Sequence, residues 1–319
     1  MKVIDAYAHV SLPRFLSAEE FLWVMDENDV DAAIIGGAET CPDLMELSRA
    51  IVTWPNRFRA VGMPLGRDQQ DVPDAIRAQM EAGFLGIRIP AATVAQQPHL
   101  LDIIGESQGV VFVMGPDVFG PAAVVLCKFL EKYPNSYVCA PHFAGIASVD
   151  FFEDIGEARC LLDHPNFIIG FSRQGAHEPA IMGSLAAFLA WRVGWSRLVW
   201  GSEYPVCLWR DETYDWTMKW IDRMALTPSD AQRKGFYYEN AKRYFFAPRE
   251  VRPLASKWNM MPYRNKSPVW LFPRKTLELS EEVHRTLLLN YLSRGGEKKK
   301  SYREFIAGLL IDAARRLEG

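Results

Sequence analysis

Cysteine is sparse and unpatterned in this 319-residue chain: Cys41, Cys127, Cys139, Cys160 and Cys207 are odd in number, widely spaced and without a Cys-x-x-Cys pair. That pattern excludes a disulfide framework as the source of the fold and predicts reduced thiols. No apolar run approaches the roughly 18 residues that a membrane helix needs. The start, MKVIDAYAHV, lacks the basic region and apolar core of a secretory leader. A cytoplasmic protein without membrane association is expected. Low-complexity and collagen-like segments are also missing. What is present is a globular composition, 49% hydrophobic and 24% charged with a mean hydropathy of -0.08, which excludes wholesale disorder.

The net charge of -3 conceals two parts of opposite sign. Residues 1–250 hold 22 Lys and Arg against 32 Asp and Glu, whereas residues 251–319 hold 14 against 7. A basic tail on an acidic body points to contact with a polyanion or with the body itself.

Short apolar runs suited to buried strands recur at nearly even intervals: VIDAYAHV, AAIIGG, FRAVGMPL, FLGIRIP, VVFVMG, SYVCAPHF, FIIGFS and RLVWGSEYP. Helical-period stretches separate them, among them AEEFLWVMDENDV, DLMELSRAIVTW, DAIRAQMEAG, PAAVVLCKFLEKY and FFEDIGEARCLLD. Ser17 with Glu20 forms a capping box, and Thr227-Pro228 with Asp230 is expected to open another helix. Strand–helix alternation with strands buried on both faces implies a parallel sheet, and eight such units predict an α/β fold of the (β/α)8, or TIM, barrel type over residues 1–248. A linker or wrapping arm at 249–269 and a basic helical unit at 270–319 follow.

A barrel of this kind gathers reactive residues at the C-terminal ends of its strands. His9 closes the first strand, His142 the sixth and Glu203 the eighth, so three acid–base groups or metal ligands are expected at one mouth. Arg88 at strand four and Arg173 at strand seven add two cations able to grip a carboxylate. The alternative for both arginines is neutralisation of Glu203 and Asp5.

The segments IDAYAH, APHFAG, WGSEYP and ENAKRYF resemble, in order and spacing, the motifs of the amidohydrolase-related branch of the amidohydrolase superfamily. The resemblance covers about residues 1 to 246 and implies a metal-binding barrel enzyme. Three positions depart from the family pattern: Tyr7 stands for the first histidine of the pair, Met114 for the strand-five histidine, and Glu203 for the strand-eight aspartate. His9, His142 and Glu203 are what is left to hold one divalent metal, zinc by preference, with Tyr7 as an unusual fourth ligand. A phenol and a thioether are poor zinc ligands at neutral pH, which favours a site without a metal.

The resemblance extends to lactone hydrolases that work without a metal and bind anionic substrates through arginines. It implies a hydrolase of a small anionic ester, lactone or similar carbonyl compound. Glu203 is then the general base, His142 and Tyr7 stabilise the oxyanion, and Arg88 and Arg173 orient the substrate carboxylate. Trp209 is expected to wall the substrate, with Tyr214 and Trp216 as further aromatic candidates. A metal-dependent decarboxylase of an aromatic or unsaturated acid is the alternative from the same family. An inactive barrel serving as a ligand sensor or scaffold, with a tail that binds protein or DNA, is the non-enzymatic one.

In the tail, RKTLELS alternates as a strand, SEEVHRTLLLNYLSRG and SYREFIAGLLIDAARRL read as helices, and Ser301 with Glu304 forms a capping box. Strand, helix, helix weakly resembles the ribbon-helix-helix unit of small dimeric DNA-binding regulators. A dimerisation element is expected, giving a homodimer or higher homo-oligomer. Packing of the helices on the barrel is the alternative. Nucleic acid is the less favoured partner, because Glu278 sits badly against phosphate and only Arg274 on this strand has the reach to read guanine.

Overall fold

The computed structural model describes residues 1–258 apart from 12–13, 38–41, 66–69, 147, 177 and 225, and beyond them residues 269–270, 278–279, 285–289, 291 and 305. Each of the eight apolar runs forms one strand: β1 (Ile4–His9), β2 (Ala32–Gly36), β3 (Phe58–Gly62), β4 (Gly86–Pro90), β5 (Val110–Met114), β6 (Tyr137–Ala140), β7 (Phe167–Phe171) and β8 (Leu198–Trp200). They are hydrogen-bonded in sequence order and every ladder is parallel. Around them run α1 (Ala18–Glu27), α2 (Leu44–Thr53), α3 (Val72–Glu81), α4 (Ala91–Gln96), α5 (His99–Glu106), α6 (Pro121–Lys132), α7 (Arg159–Asp163) and α8 (Pro179–Val193). This is the predicted (β/α)8 barrel.

Two apolar layers hold it together. Ile4, Ile34, Val61, Leu85, Phe112, Cys139, Ile168 and Val199 fill the interior, floored by Ala241 and Phe245 of the helix Asn240–Phe245. A larger layer lies between strands and helices, with Phe21, Phe58, Phe84, Phe167 and Trp220 fully buried. Burying one such side chain is worth roughly 1.5–3 kcal/mol, so this layer is the main stabilising element.

The barrel closes between β8 and β1 through Asp5. β8 is only three residues long and forms its ladder with β7. The residues after it meet β1 instead: the Asp5 carboxylate, fully buried, accepts from the Ser202 N–H at 3.0 Å, the Ser202 hydroxyl at 2.5 Å and the Tyr214 hydroxyl at 2.8 Å. Burial raises the Asp5 pKa to about 6, against the pull of these hydrogen bonds. Backbone bonds from Glu203 N to the Tyr7 carbonyl (2.8 Å) and from His9 N to the Tyr204 carbonyl (2.7 Å) complete the seam. Gly201 is required there, since a Cβ would lie 2.7 Å from that of Tyr7. Tyr214, expected as a substrate wall, is a buried support of Asp5.

Several local expectations change. Ser17 and Glu20 do form the capping box of α1. The second cap falls later than expected, at Ser229 with Gln232, whose hydroxyl and side-chain carbonyl reciprocate with the backbone. The predicted helix FFEDIGEARCLLD breaks into 3-10 turns and the short α7, with Gly156 at a φ of +46° between them. The expectation of reduced thiols fails at one pair, for Cys127 on α6 and Cys160 on α7 form a disulfide across a separation of 33 residues. Spacing alone does not reveal that adjacent outer helices bring them within reach. Cys139 and Cys207 are free and buried, and Cys41 lies outside the described residues.

Past the barrel the chain runs back along the helices at its lower rim. Arg249 donates to the carbonyls of Phe84 and Gln108, Arg252 N to Ala82, and Leu254 N to the Ser48 hydroxyl. In the tail, Glu278–Leu279 pairs antiparallel with Val269–Trp270 of the same chain, whereas a ribbon-helix-helix unit would pair this strand with a second copy. Leu288, Tyr291 and Phe305 are buried in the layer outside the strands, and Arg285 donates to Glu20 of α1 at 3.0 Å. These described tail residues pack on the barrel. The capping box at Ser301 and Glu304 lies outside the described residues.

Two measurements check this account. Cys127→Ser with Cys160→Ser should lower unfolding stability by about 3–4 kcal/mol, the chain-entropy value for a loop of this size, in denaturant titration of the oxidised and double-variant proteins. Asp5→Ala should cost at least about 3 kcal/mol, because four donors, the N–H groups of Tyr7 and Ser202 and the hydroxyls of Ser202 and Tyr214, lose their buried acceptor. Equal midpoints for Asp5→Ala and the parent would contradict the seam.

Candidate active site

The turns after β6, β7 and β8 carry His142, Arg173 and Glu203, and all three sit in the left-handed region, with φ of +58°, +60° and +56°. Such backbone costs roughly 1–3 kcal/mol per non-glycine residue and persists only where neighbours impose it. His142 N donates to the Ser172 hydroxyl at 3.0 Å, Ala176 N to the Arg173 carbonyl at 3.1 Å, and Glu203 N to Tyr7 across the seam. Tyr7 and His9 arrive on β1, Arg88 on β4 and Met114 at the end of β5. All the acid–base and cationic candidates except Trp209 therefore converge at one mouth.

Glu203, 2% exposed, is the hub of this group. Its Oε1 receives Arg173 Nη2 at 2.7 Å and faces His142 Nε2 at 3.4 Å, and its Oε2 pairs with Arg210 Nη1 at 2.6 Å. Arg210 is held in turn by Glu212, with Nε and Nη2 donating at 2.8 and 3.2 Å. Burial opposes the Glu203 charge, but His142, Arg210 and Arg173 outweigh it and hold the carboxyl well below the usual carboxylate range. Of the two arginines placed here from sequence, Arg173 does neutralise Glu203, and Arg88 does not.

The histidines are neutral. Burial, reinforced for His9 by the nearby Arg88 and only partly opposed for His142 by Glu203, lowers each pKa to about 3. Glu203 can only accept, so His142 Nε2 carries the proton, and Nδ1 accepts from the Ser172 hydroxyl at 2.9 Å. His9 donates Nδ1–H to the Gly36 carbonyl at 3.1 Å and stacks on Phe15. Tyr7 stands between the two histidines, edge-on to each with centroids 5.0 Å apart, and its hydroxyl meets Met114 Sδ at 3.6 Å. Burial pushes the phenol up to about 12, so it is a neutral donor.

This arrangement does not fit a divalent metal. His142 Nδ1 is committed to Ser172 and its Nε2 carries the proton, both Glu203 oxygens face guanidinium groups, and the Tyr7 phenol keeps its proton. Among the described residues no group of three or more His, Cys, Asp or Glu is placed to hold a metal ion. The ligand set His9, His142 and Glu203 expected from sequence is thus not assembled as one, because the Tyr7 ring separates the histidines and two arginines occupy the carboxylate.

Beside the cluster a cavity of about 450 Å3 opens over the ends of β4 to β7, lined by Arg88, Met114, His142, Phe143, Ile146, Arg173 and Met182 among others. Arg88 donates Nη1–H to the Gly37 carbonyl at 2.9 Å, its Nε is buried without a partner, and no carboxylate among the described residues pairs with it. Arg173 is 47% exposed at its side chain and joins the cavity to Glu203. Glu203 and Tyr7 lie behind the lining. Trp209 does not line it either: it stacks on Phe15 and under Arg14, which corrects its expected place as a substrate wall. Sequence reasoning missed Arg210 and Ser172. Arg210 sits seven residues past Glu203 in a 3-10 turn and carries no motif, and the only sign of Ser172 is its place beside Arg173.

Comparison with known proteins agrees with the fold. None of the curated proteins compared with the chain matches it. Among solved structures, a probable 2-pyrone-4,6-dicarboxylic acid hydrolase from Acinetobacter baumannii, with citric acid bound, superposes with a TM-score of 0.61 at 16% identity, covering 77% of this chain and 100% of that one. An amidohydrolase from Burkholderia multivorans with bound zinc gives 0.61 at 16%, covering 78% and 100%. The 2,6-dihydroxybenzoate decarboxylase from Rhizobium gives 0.54 at 14%, covering 77% and 98%. At these identities the likeness is one of fold. A family model described as Amidohydrolase, of the amidohydrolase-2 type, matches residues 5–247, and the chain belongs to that family.

Proposed function

We propose that the chain is a hydrolase of a small anionic ester or lactone that works without a bound metal. The observation that carries this reading is Arg88, a guanidinium at the cavity wall with no carboxylate partner among the described residues, facing a chamber that also presents Arg173 and His142. A buried cation without a counter-charge is costly, and a substrate carboxylate relieves that cost.

The remaining groups supply the chemistry. His142 Nε2–H and the neutral Tyr7 hydroxyl are hydrogen-bond donors for an oxygen that becomes negative in a tetrahedral intermediate. The Tyr7 O–H can rotate toward such an oxygen, since its contact with Met114 sulfur is weak. Glu203 Oε1, still paired with Arg173, takes a proton from water on its remaining lone pair. A carboxylate held this low is a weak base, so the site suits an activated carbonyl, an ester or lactone, and is poorly matched to an unactivated amide.

Decarboxylation is the second reading. It is favoured by the apolar part of the cavity, Met114, Phe143, Ile146 and Met182, where a carboxylate is destabilised relative to a charge-dispersed transition state. Against it stands a donor set that does not fit the metal on which family decarboxylases normally depend.

A panel of carboxylate-bearing lactones, esters and aromatic acids, followed by chromatography and CO2 detection on chelator-treated protein, separates the readings. Ring opening or ester cleavage undiminished by chelator is expected. CO2 release that requires added metal would replace this proposal with the second. With a substrate in hand, Glu203→Gln should lower kcat by about 10²–10³ and Arg88→Met should raise KM by about 10–100-fold. The pH profile is also specified. His142 and His9 stay neutral down to about 3 and Glu203 stays ionised below the usual carboxylate range, so the group that titrates in this window is Asp5, near 6, and kcat/KM should be flat from pH 8 to 7 and fall as Asp5 takes up its proton. An acid limb near pH 6.5 that survives in Asp5→Asn would contradict neutral, buried histidines.

A further inference from the structure

The formal charges around the cavity leave one cation over. Glu203 and Glu212 face Arg173 and Arg210, two carboxylates against two guanidiniums in one connected group. His142 is neutral by its hydrogen bonds, with Nε2–H toward Glu203 and Nδ1 accepting from Ser172. His9 has spent its one donor on Gly36, and Tyr7 is an un-ionised phenol. Among the described residues Arg88 has only the Gly37 carbonyl as partner, with its Nε buried and unpaired. The described lining of the cavity contains no acid.

From this balance, and resting on the anionic-site reading above, we propose that the cavity selects a monocarboxylate: one carboxylate seated on Arg88, with an uncharged apolar body against Met114, Ile146 and Met182. A second carboxylate finds no unspent cation. It must take Arg173 from Glu203, and it then lies in a confined, weakly solvated space beside a carboxylate that has lost one of its partners. Like charges brought together in such a place repel strongly, which makes discrimination against dicarboxylates a property of the site itself.

Three probes test the count on the full chain at pH 7.5, by calorimetric or ligand-observed NMR titration: benzamide and benzoate, which are isosteric, and isophthalate, which adds a second carboxylate to the same ring. Benzoate should bind at least about tenfold more tightly than benzamide, and isophthalate at least about tenfold more weakly than benzoate. Glu203→Gln, checked for folding by thermal melting, removes one negative charge and so frees a second cation. It should bring isophthalate binding up at least about tenfold over the parent. Arg88→Met should reduce benzoate to the level of benzamide, and this half-buried cavity position carries the test if Glu203→Gln does not fold. Benzoate no tighter than benzamide in the parent would sink the anionic-site reading and the proposal with it. Benzoate tighter than benzamide, with isophthalate equal to or tighter than benzoate, would overturn the monocarboxylate count alone and leave the anionic site standing. Retention of benzoate preference in Arg88→Met would overturn Arg88 as the seat.

Discussion

The fully buried carboxylate of Asp5 is the point on which the mouth of this barrel depends. β8 is too short to bring its own ladder around to β1, and Asp5 gathers Ser202 and Tyr214 across that gap. The residues on either side of the seam are functional candidates, Tyr7 two positions past Asp5 and Glu203 one past Ser202. Their positions relative to each other are therefore set by one acceptor group that touches neither the cavity nor any substrate. A charge kept in the interior for this purpose carries a desolvation cost, visible in its raised pKa, and four side-chain and backbone donors offset part of it.

Glu203 follows the same physics with a different outcome. Where Asp5 meets neutral donors and its pKa rises, Glu203 meets two guanidinium groups and its pKa falls. One carboxylate thus serves as a fixed structural acceptor and the other as the centre of an ionic group, one member of which, Arg173, reaches the cavity and is half exposed. Buried ion pairs of this kind give geometry more readily than net stability. Here the geometry is the useful part: Arg210 and Glu212 hold the rear oxygen while the front oxygen faces His142 and Arg173.

The fold was legible because buried parallel strands are near-continuous apolar runs, and eight of them at even spacing leave few architectures open. The meeting of His9, Arg88, His142, Arg173 and Glu203 was legible for a related reason, since residues at strand ends of a barrel share a mouth whatever their separation. What the sequence did not disclose depends on directions of side chains rather than on strand position. Arg210 reaches Glu203 from a turn with no pattern of its own, Ser172 is buried and silent, and Cys127 and Cys160 meet only because α6 and α7 are neighbours in the outer ring. Trp209 is near Glu203 along the chain, yet its ring packs on Phe15 and Arg14, a direction the sequence does not give. The substitution at Tyr7 was visible in sequence, but its edge-on packing against both histidines was not.

Leu288, Tyr291 and Phe305 are buried in the apolar layer outside the strands, and Arg285 is tied to Glu20 in the first turn of α1. In engineering terms these tail residues are part of the barrel's outer wall rather than a handle attached to it. A fusion partner or immobilisation tether that pulls on the tail would load that wall at α1, so an amino-terminal attachment at Met1, which is exposed, is the mechanically quieter place to hold this protein.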